Sequence, residues 1–145
     1  MVKKTYLVLI CFISLIIFIS TLHGQGSKKT ITLPSGEVVC DLNGEWGAFV
    51  ELIGAISMGG GKSYPQIEKI TQTGSSFVAI RMINDPFNQK GSQALQGELD
   101  KSGIKKVTIF ASQGPIEAEG QISHDGNKIV IGDKGGKLRV TLTRK

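Results

Sequence analysis

Ile116-Glu117-Ala118-Glu119-Gly120-Gln121-Ile122-Ser123, His124-Asp125-Gly126-Asn127 and Lys128-Ile129-Val130-Ile131 form the stretch whose reading decides the fold. In its first part Ile116, Ala118, Gly120 and Ile122 alternate with Glu117, Glu119, Gln121 and Ser123. A period of two puts one set on a dry face and the other in water. The middle part offers Asp, Gly and Asn where a reversing chain needs positive φ or a side chain that bonds its own backbone. Two strands joined by a tight turn follow. Glu117 and Glu119 then belong to a solvated face that discourages edge pairing, not to a catalytic acid pair.

The same pattern extends outward in both directions. Leu95, Gly97 and Leu99 alternate with Gln96, Glu98 and Asp100, and Leu138, Val140 and Leu142 with Arg139, Thr141 and Thr143. Eight segments read as strands: 45–53, 66–72, 76–83, 94–99, 104–111, 116–123, 128–131 and 138–143. Thr73-Gly74-Ser75, Lys101-Ser102-Gly103 and Asp133-Lys134-Gly135-Gly136 carry turn chemistry between them. Two separators, 54–65 and 84–93, are longer and rich in Gly, Ser, Asn and Pro, as loops at an open end would be. No helical stripe of useful length interrupts the series. Strands about ten residues apart with short turns predict an all-β, up-and-down antiparallel meander that closes into a barrel or folds into a sandwich.

Ahead of these strands, Met1 to Lys4 is short and basic, Tyr6 to Ser20 almost wholly apolar, and Thr21 to Gln25 polar with a small Gly24. This tripartite pattern predicts a signal helix over 1–24, a mobile leader over 25–36 holding a short edge strand at Ile31 to Leu33, and the domain over 37–145. Cleavage leaves an exported chain, periplasmic or extracellular. The alternative is an uncleaved anchor through residues 6–22, since Thr21 and Leu22 lengthen the apolar run towards a span. Cys11 follows Ile10 instead of the small residues a lipid-attachment site needs. Once Cys11 is removed, Cys40 is the one thiol left in an exported chain, and no internal disulfide can form.

Of the 145 residues, 121 follow Gly24, the size of one domain. The 17 Lys and Arg include Lys3 and Lys4, so 15 remain against 12 Asp and Glu, scattered among one another. A nucleic-acid binder gathers its basic residues on one face with aromatics between them, so nucleic acid is not an expected partner.

Catalytic motifs are also wanting. Gly59-Gly60-Gly61-Lys62-Ser63 resembles the end of a phosphate-binding loop, but Ile56 stands where the leading Gly is required and no helix follows. It reads as a flexible loop or a lid. Val38, Val39 and Cys40 read as the start of a half-buried strand, where a thiol behaves as a small apolar group. His124, in its turn, reads as solvated. No zinc or EF-hand spacing occurs, so neither a metal nor a cofactor is expected.

In the last strand the inner parity of Leu138, Val140 and Leu142 extends to Arg144. An inward guanidinium needs its donors used, and stacking on an aromatic face is a common partial solution. Trp46, the single Trp, begins the first long strand and is the natural partner if first and last strands meet.

Asp41-Leu42-Asn43-Gly44-Glu45-Trp46 resembles the Gly-x-Trp opening of lipocalin-like, or calycin, barrels, and Thr141-Leu142-Thr143-Arg144 resembles their closing strand with its Arg. Residues 67–74 with Phe77, Gln96-Gly97-Glu98-Leu99 and Gly120-Gln121-Ile122-Ser123 are similar to small bacterial domains of that kind. The resemblance spans about Asp41 to Arg144 and implies an eight-stranded barrel closed by Gly44, Trp46 and Arg144. The long helix that lipocalins carry before the last strand has no counterpart here.

Such barrels often hold a small apolar ligand. The expected function is therefore a non-enzymatic binding protein with a cavity wall of Val50, Val78, Ile80, Met82, Val107 and Ile109, alongside the inward Ile129 and Ile131. The third strand is apolar on both parities, and a slip of one residue would put Phe77 and Ala79 on the wall instead. The alternative is an interaction or inhibitor module with a filled core and a protein partner. An eight-stranded barrel is just wide enough for either.

Overall fold

Runs that alternate apolar and polar residues can bury one face only by pairing edge to edge and curling, and the strands here do so until no edge remains. The computed structural model describes residues 28–53 and 62–145. The signal helix read over 1–24, and the lid reading of the glycines at 59–61, fall outside the described residues. Among the described residues ten strands run in chain order: β1 Thr30–Thr32, β2 Val38–Cys40, β3 Gly44–Leu52, β4 Lys62–Thr73, β5 Ser76–Arg81, β6 Gln93–Asp100, β7 Gly103–Ala111, β8 Gly114–Ile122, β9 Lys128–Asp133 and β10 Leu138–Arg144. Strands β3 to β10 form a closed antiparallel barrel in which each pairs with its chain neighbours, and β10 returns to β3. Of the two architectures open to the meander, the barrel is the one formed. Its closing seam sets Val140 opposite Val50 and Arg144 opposite Trp46.

β1 and β2 make a separate two-stranded hairpin, pairing Thr30 with Cys40 and Thr32 with Val38. The stretch over 25–36 thus contributes its strand at Thr30–Thr32, one residue earlier than the sequence places it. The hairpin sits on one end of the barrel. Glu37 Oε1 accepts from the Lys101 amide at 2.7 Å in the β6–β7 turn, and Gln72 reaches back from β4. The Gln72 amide group is buried with every function used: Oε1 accepts from Leu42 N at 2.7 Å, and Nε2 donates to Cys40 O at 3.1 Å and Gly74 O at 3.0 Å. A buried amide so satisfied costs little and fixes where the two segments meet.

At this end Trp46 is 0 % exposed, and its Nε1 donates to Leu42 O at 2.9 Å. The Arg144 guanidinium carbon lies 4.4 Å from the Trp46 ring centroid. Its Nη2 donates to Asp41 O at 2.6 Å and its Nη1 to Asn43 O at 3.0 Å. Stacking and backbone acceptors together accommodate the two terminal nitrogens of this inward arginine, while its buried Nε has no hydrogen-bond partner. Gly44 turns the chain into β3 with a φ of +127°, a conformation that residues with a Cβ rarely adopt.

The links β4–β5, β6–β7 and β8–β9 lie at this plugged end. The β5–β6, β7–β8 and β9–β10 links, the end of β3 and the start of β4 lie at the other. The core between the ends is apolar, with Phe77, Ile70, Leu95, Ile129, Ile131 and Leu142 all buried.

On β5 the buried residues are Phe77, Ala79 and Arg81, while Val78, Ile80 and Met82 lie on the opposite parity and are partly exposed. This corrects the inward placement of Val78, Ile80 and Met82, and the register slipped by one is the one adopted. The reason lies across the strand pair. Phe77 pairs with Gly97, an inward position without a side chain, and a Cβ added there would come within 2.7 Å of the Phe77 ring. The ring fills the space that the glycine leaves.

Candidate functional site

β4 carries Gln66, Glu68, Ile70 and Gln72 on one parity, and all four are buried. The polar pair Gln66 and Glu68 lies towards the open end, and antiparallel pairing sets Arg81 of β5 directly opposite Glu68. Side chains paired this way on one face are close enough to interact. Sequence, register and closure thus bring an acid and a base together inside the barrel.

Beside them a cavity of about 280 Å³ opens at that end. Its wall is mostly apolar, with Val50, Leu52, Leu95, Ile109, Ile116 and Val140 contributing from five strands and Ala94 alongside, while Glu68, Arg81 and Gln66 supply a polar patch. Tyr64 and Phe87 stand towards the mouth with ring centroids 5.6 Å apart and planes inclined at 56°. Lys62, Asp133 and Lys137 complete its rim.

Arg81 is 5 % exposed, and both of its terminal nitrogens donate to the protein. Its Nη2 donates to Phe110 O at 2.6 Å, and its Nη1 to Ser92 Oγ at 3.2 Å and to Gln93 O. Its Nε lies 3.3 Å from Asp85 Oδ2 in an ion pair without hydrogen-bond alignment. Asp85, whose side chain is wholly buried, organises the β5–β6 link. Its Oδ1 accepts from the amides of Phe87 at 2.7 Å and Asn88 at 2.8 Å, and its Oδ2 accepts from Gln66 Nε2. The link that bears Phe87 is thereby tied to the barrel wall.

Glu68 is the exception in this network. It is 1 % exposed, and its Oε2 finds no hydrogen-bond partner among the described residues. Burial pushes its carboxyl up to about 7, with Arg81 opposing the rise and Asp85 adding to it. Burial also raises the Tyr64 hydroxyl, helped by the charge of Asp85. A strongly perturbed acid in a cleft is a candidate functional group. The patch holds one buried carboxylate oxygen without a hydrogen-bond partner, a guanidinium whose terminal nitrogens are both engaged and whose Nε lies against Asp85, and an apolar volume beside them.

Of the wall residues read from the sequence, Val50 and Ile109 line the cavity. Val107 is buried but contributes to the core instead of the lining, as do Ile129 and Ile131, and Val78, Ile80 and Met82 face away. Glu68, Arg81, Asp85 and Gln66 escape the sequence reading. Their one signal is parity, since Gln66 and Glu68 share the face of Ile70 and Arg81 shares that of Phe77 and Ala79. Cys40 is buried in β2, where desolvation raises its thiol, and His124 is exposed in the β8–β9 turn. Neither lines the cavity.

No protein-family model matches the chain, and neither a curated protein nor a solved structure does.

Proposed function

We propose that this is an exported, non-enzymatic binding protein, a small lipocalin-like barrel that holds one small, largely apolar ligand in the cavity at its open end. The observation that carries the reading is that cavity. Its volume of about 280 Å³ lies near the lower bound for small-molecule sites, and a few polar groups in an apolar wall are what such sites use to orient a ligand. The packed Trp46 and Arg144 plug supports the calycin kinship, because the Gly-x-Trp opening and the closing Arg meet as that architecture requires. The basic, apolar and polar succession of residues 1–24 supports export. The non-enzymatic reading rests on the want of a nucleophile and base pair in the sequence.

Native mass spectrometry of the protein purified from its own host tests the proposal. A small molecule that co-purifies and is released on denaturation is the expected result, on a chain whose intact mass corresponds to cleavage near Gly24. A bare mass together with a protein captured in pull-down would replace the carrier with an interaction module.

A further inference from the structure

We propose that the ligand carries a protonated amine at its buried end, seated on Glu68 Oε2, with its apolar body against Val50, Ile109 and Val140. The inference rests on the reading of the cavity as a ligand site and adds the ligand's chemical class. Three observations converge on it.

First, the polar patch holds an acceptor in want of a donor. Glu68 Oε2 is buried and unpartnered, and a buried oxygen left so is costly until something donates to it. Second, the patch offers an anion less: Arg81 Nε is also without a hydrogen bond, but it already lies 3.3 Å from the Asp85 carboxylate. Both terminal nitrogens of Arg81 are engaged by Ser92, Gln93 and Phe110. Third, the charges do not balance. Glu68 and Asp85 supply two acids against the single Arg81, so a cation completes the set whenever Glu68 is ionised. Lys62 and Lys137 do stand on the rim, but both are exposed, where water and salt screen them.

The position of Glu68 fits an end-on ligand. It lies six residues inside β4 from Lys62, so a head group that reaches it leaves its body in the apolar upper cavity. The groups that set its charge state are Arg81 across the strand pair, Asp85 on the β5–β6 link and, towards the mouth, Tyr64. An amine bound there stabilises the carboxylate and makes binding stronger as pH rises through the Glu68 transition.

Hexylamine, hexanol and hexanoic acid share one apolar body and differ in the head group, and NMR titration of the full mature chain with each tests the assignment. Hexylamine is expected to bind about tenfold more tightly than hexanol at about pH 8, the gain expected of a charge-assisted hydrogen bond, and hexanoate least. The advantage should shrink at about pH 5.5, where Glu68 is protonated, a comparison that needs no variant. Glu68→Gln should bring hexylamine down to the level of hexanol and leave hexanol within about twofold, since the amide keeps the shape and loses the charge. Equal binding of amine and alcohol, a preference for hexanoate, or an amine advantage that survives in Glu68→Gln would overturn the amine assignment while leaving the cavity reading intact. If none of the three binds, the carrier reading fails as well.

Discussion

Trp46 shows how much one side chain settles in a barrel this small. It is 0 % exposed, its indole nitrogen is satisfied by Leu42 O, and the Arg144 guanidinium lies over its face. Truncation removes a large buried surface and leaves Arg144 above a void. Trp46→Ala is therefore expected to cost about 3–5 kcal/mol in urea unfolding. A loss below about 1 kcal/mol would show that the ring is not the plug, because only an exposed Trp is removed so cheaply. This pairing was legible because both residues stood at strand ends and one of them was a charge on an inward parity. Glu68 and Arg81 present the same anomaly in mid-barrel, where the sequence carries no comparable signal. A lone Glu or Arg in a strand is normally a mark of the solvated face, and what keeps Arg81 inside is a set of acceptors that only closure assembles: Phe110 O from β7, Gln93 O from β6 and Asp85 from the link.

Strands differ in how far their sequence declares which face is buried. β8 and β10 alternate cleanly, so both their register and their inner face are readable from composition. β5 is apolar on both parities, and its orientation is decided by a neighbour: Phe77 lies across from Gly97 and occupies the volume of the absent side chain. This is a sheet device in which an aromatic ring covers a glycine on the adjacent strand. Gly97→Ala tests it. The new Cβ would lie 2.5 Å from Lys106 O and 2.6 Å from the Phe77 ring, and although a ring can shift, the backbone carbonyl of β7 must move as well. The expected loss is roughly 1–3 kcal/mol in chemical denaturation, the usual cost of overpacking a tight site. Stability at the wild-type level would mean that the two strands are not held this closely.

At the scale of the whole molecule the barrel divides, among the described residues, into an end sealed by Trp46, Arg144 and the hairpin, and an end with a cavity beside a buried acid. That asymmetry separates the packed end from the end that carries the cavity, and it makes global stability depend on pH in an unusual sense. The carboxyl of Glu68 is raised from 4.5 to about 7 by burial. Below about 4.5 both folded and unfolded chains hold the proton, and burial carries no charge penalty. Between about 4.5 and 7 the unfolded chain has released its proton while the folded chain retains it, so stability falls as pH rises. Above about 7 the folded chain ionises too, and the loss is complete at about 3 kcal/mol. The surface carboxyls of Asp100 and Asp125 act oppositely. Hydrogen bonds from Ser102 and Ser123 hold their carboxyls low, and the stability they add disappears only as pH falls through those lowered values, below the Glu68 window. Urea titrations of the ligand-free protein at about pH 5 and pH 8 should therefore find it more stable in acid, with Glu68→Gln removing most of the difference. A saturating amine should act on the wild type in the same direction as the substitution, because it supplies the ionised carboxylate with the partner that the fold withholds. If the acid preference persists undiminished in Glu68→Gln, the proton linkage lies elsewhere and the open end is not under strain from its buried acid.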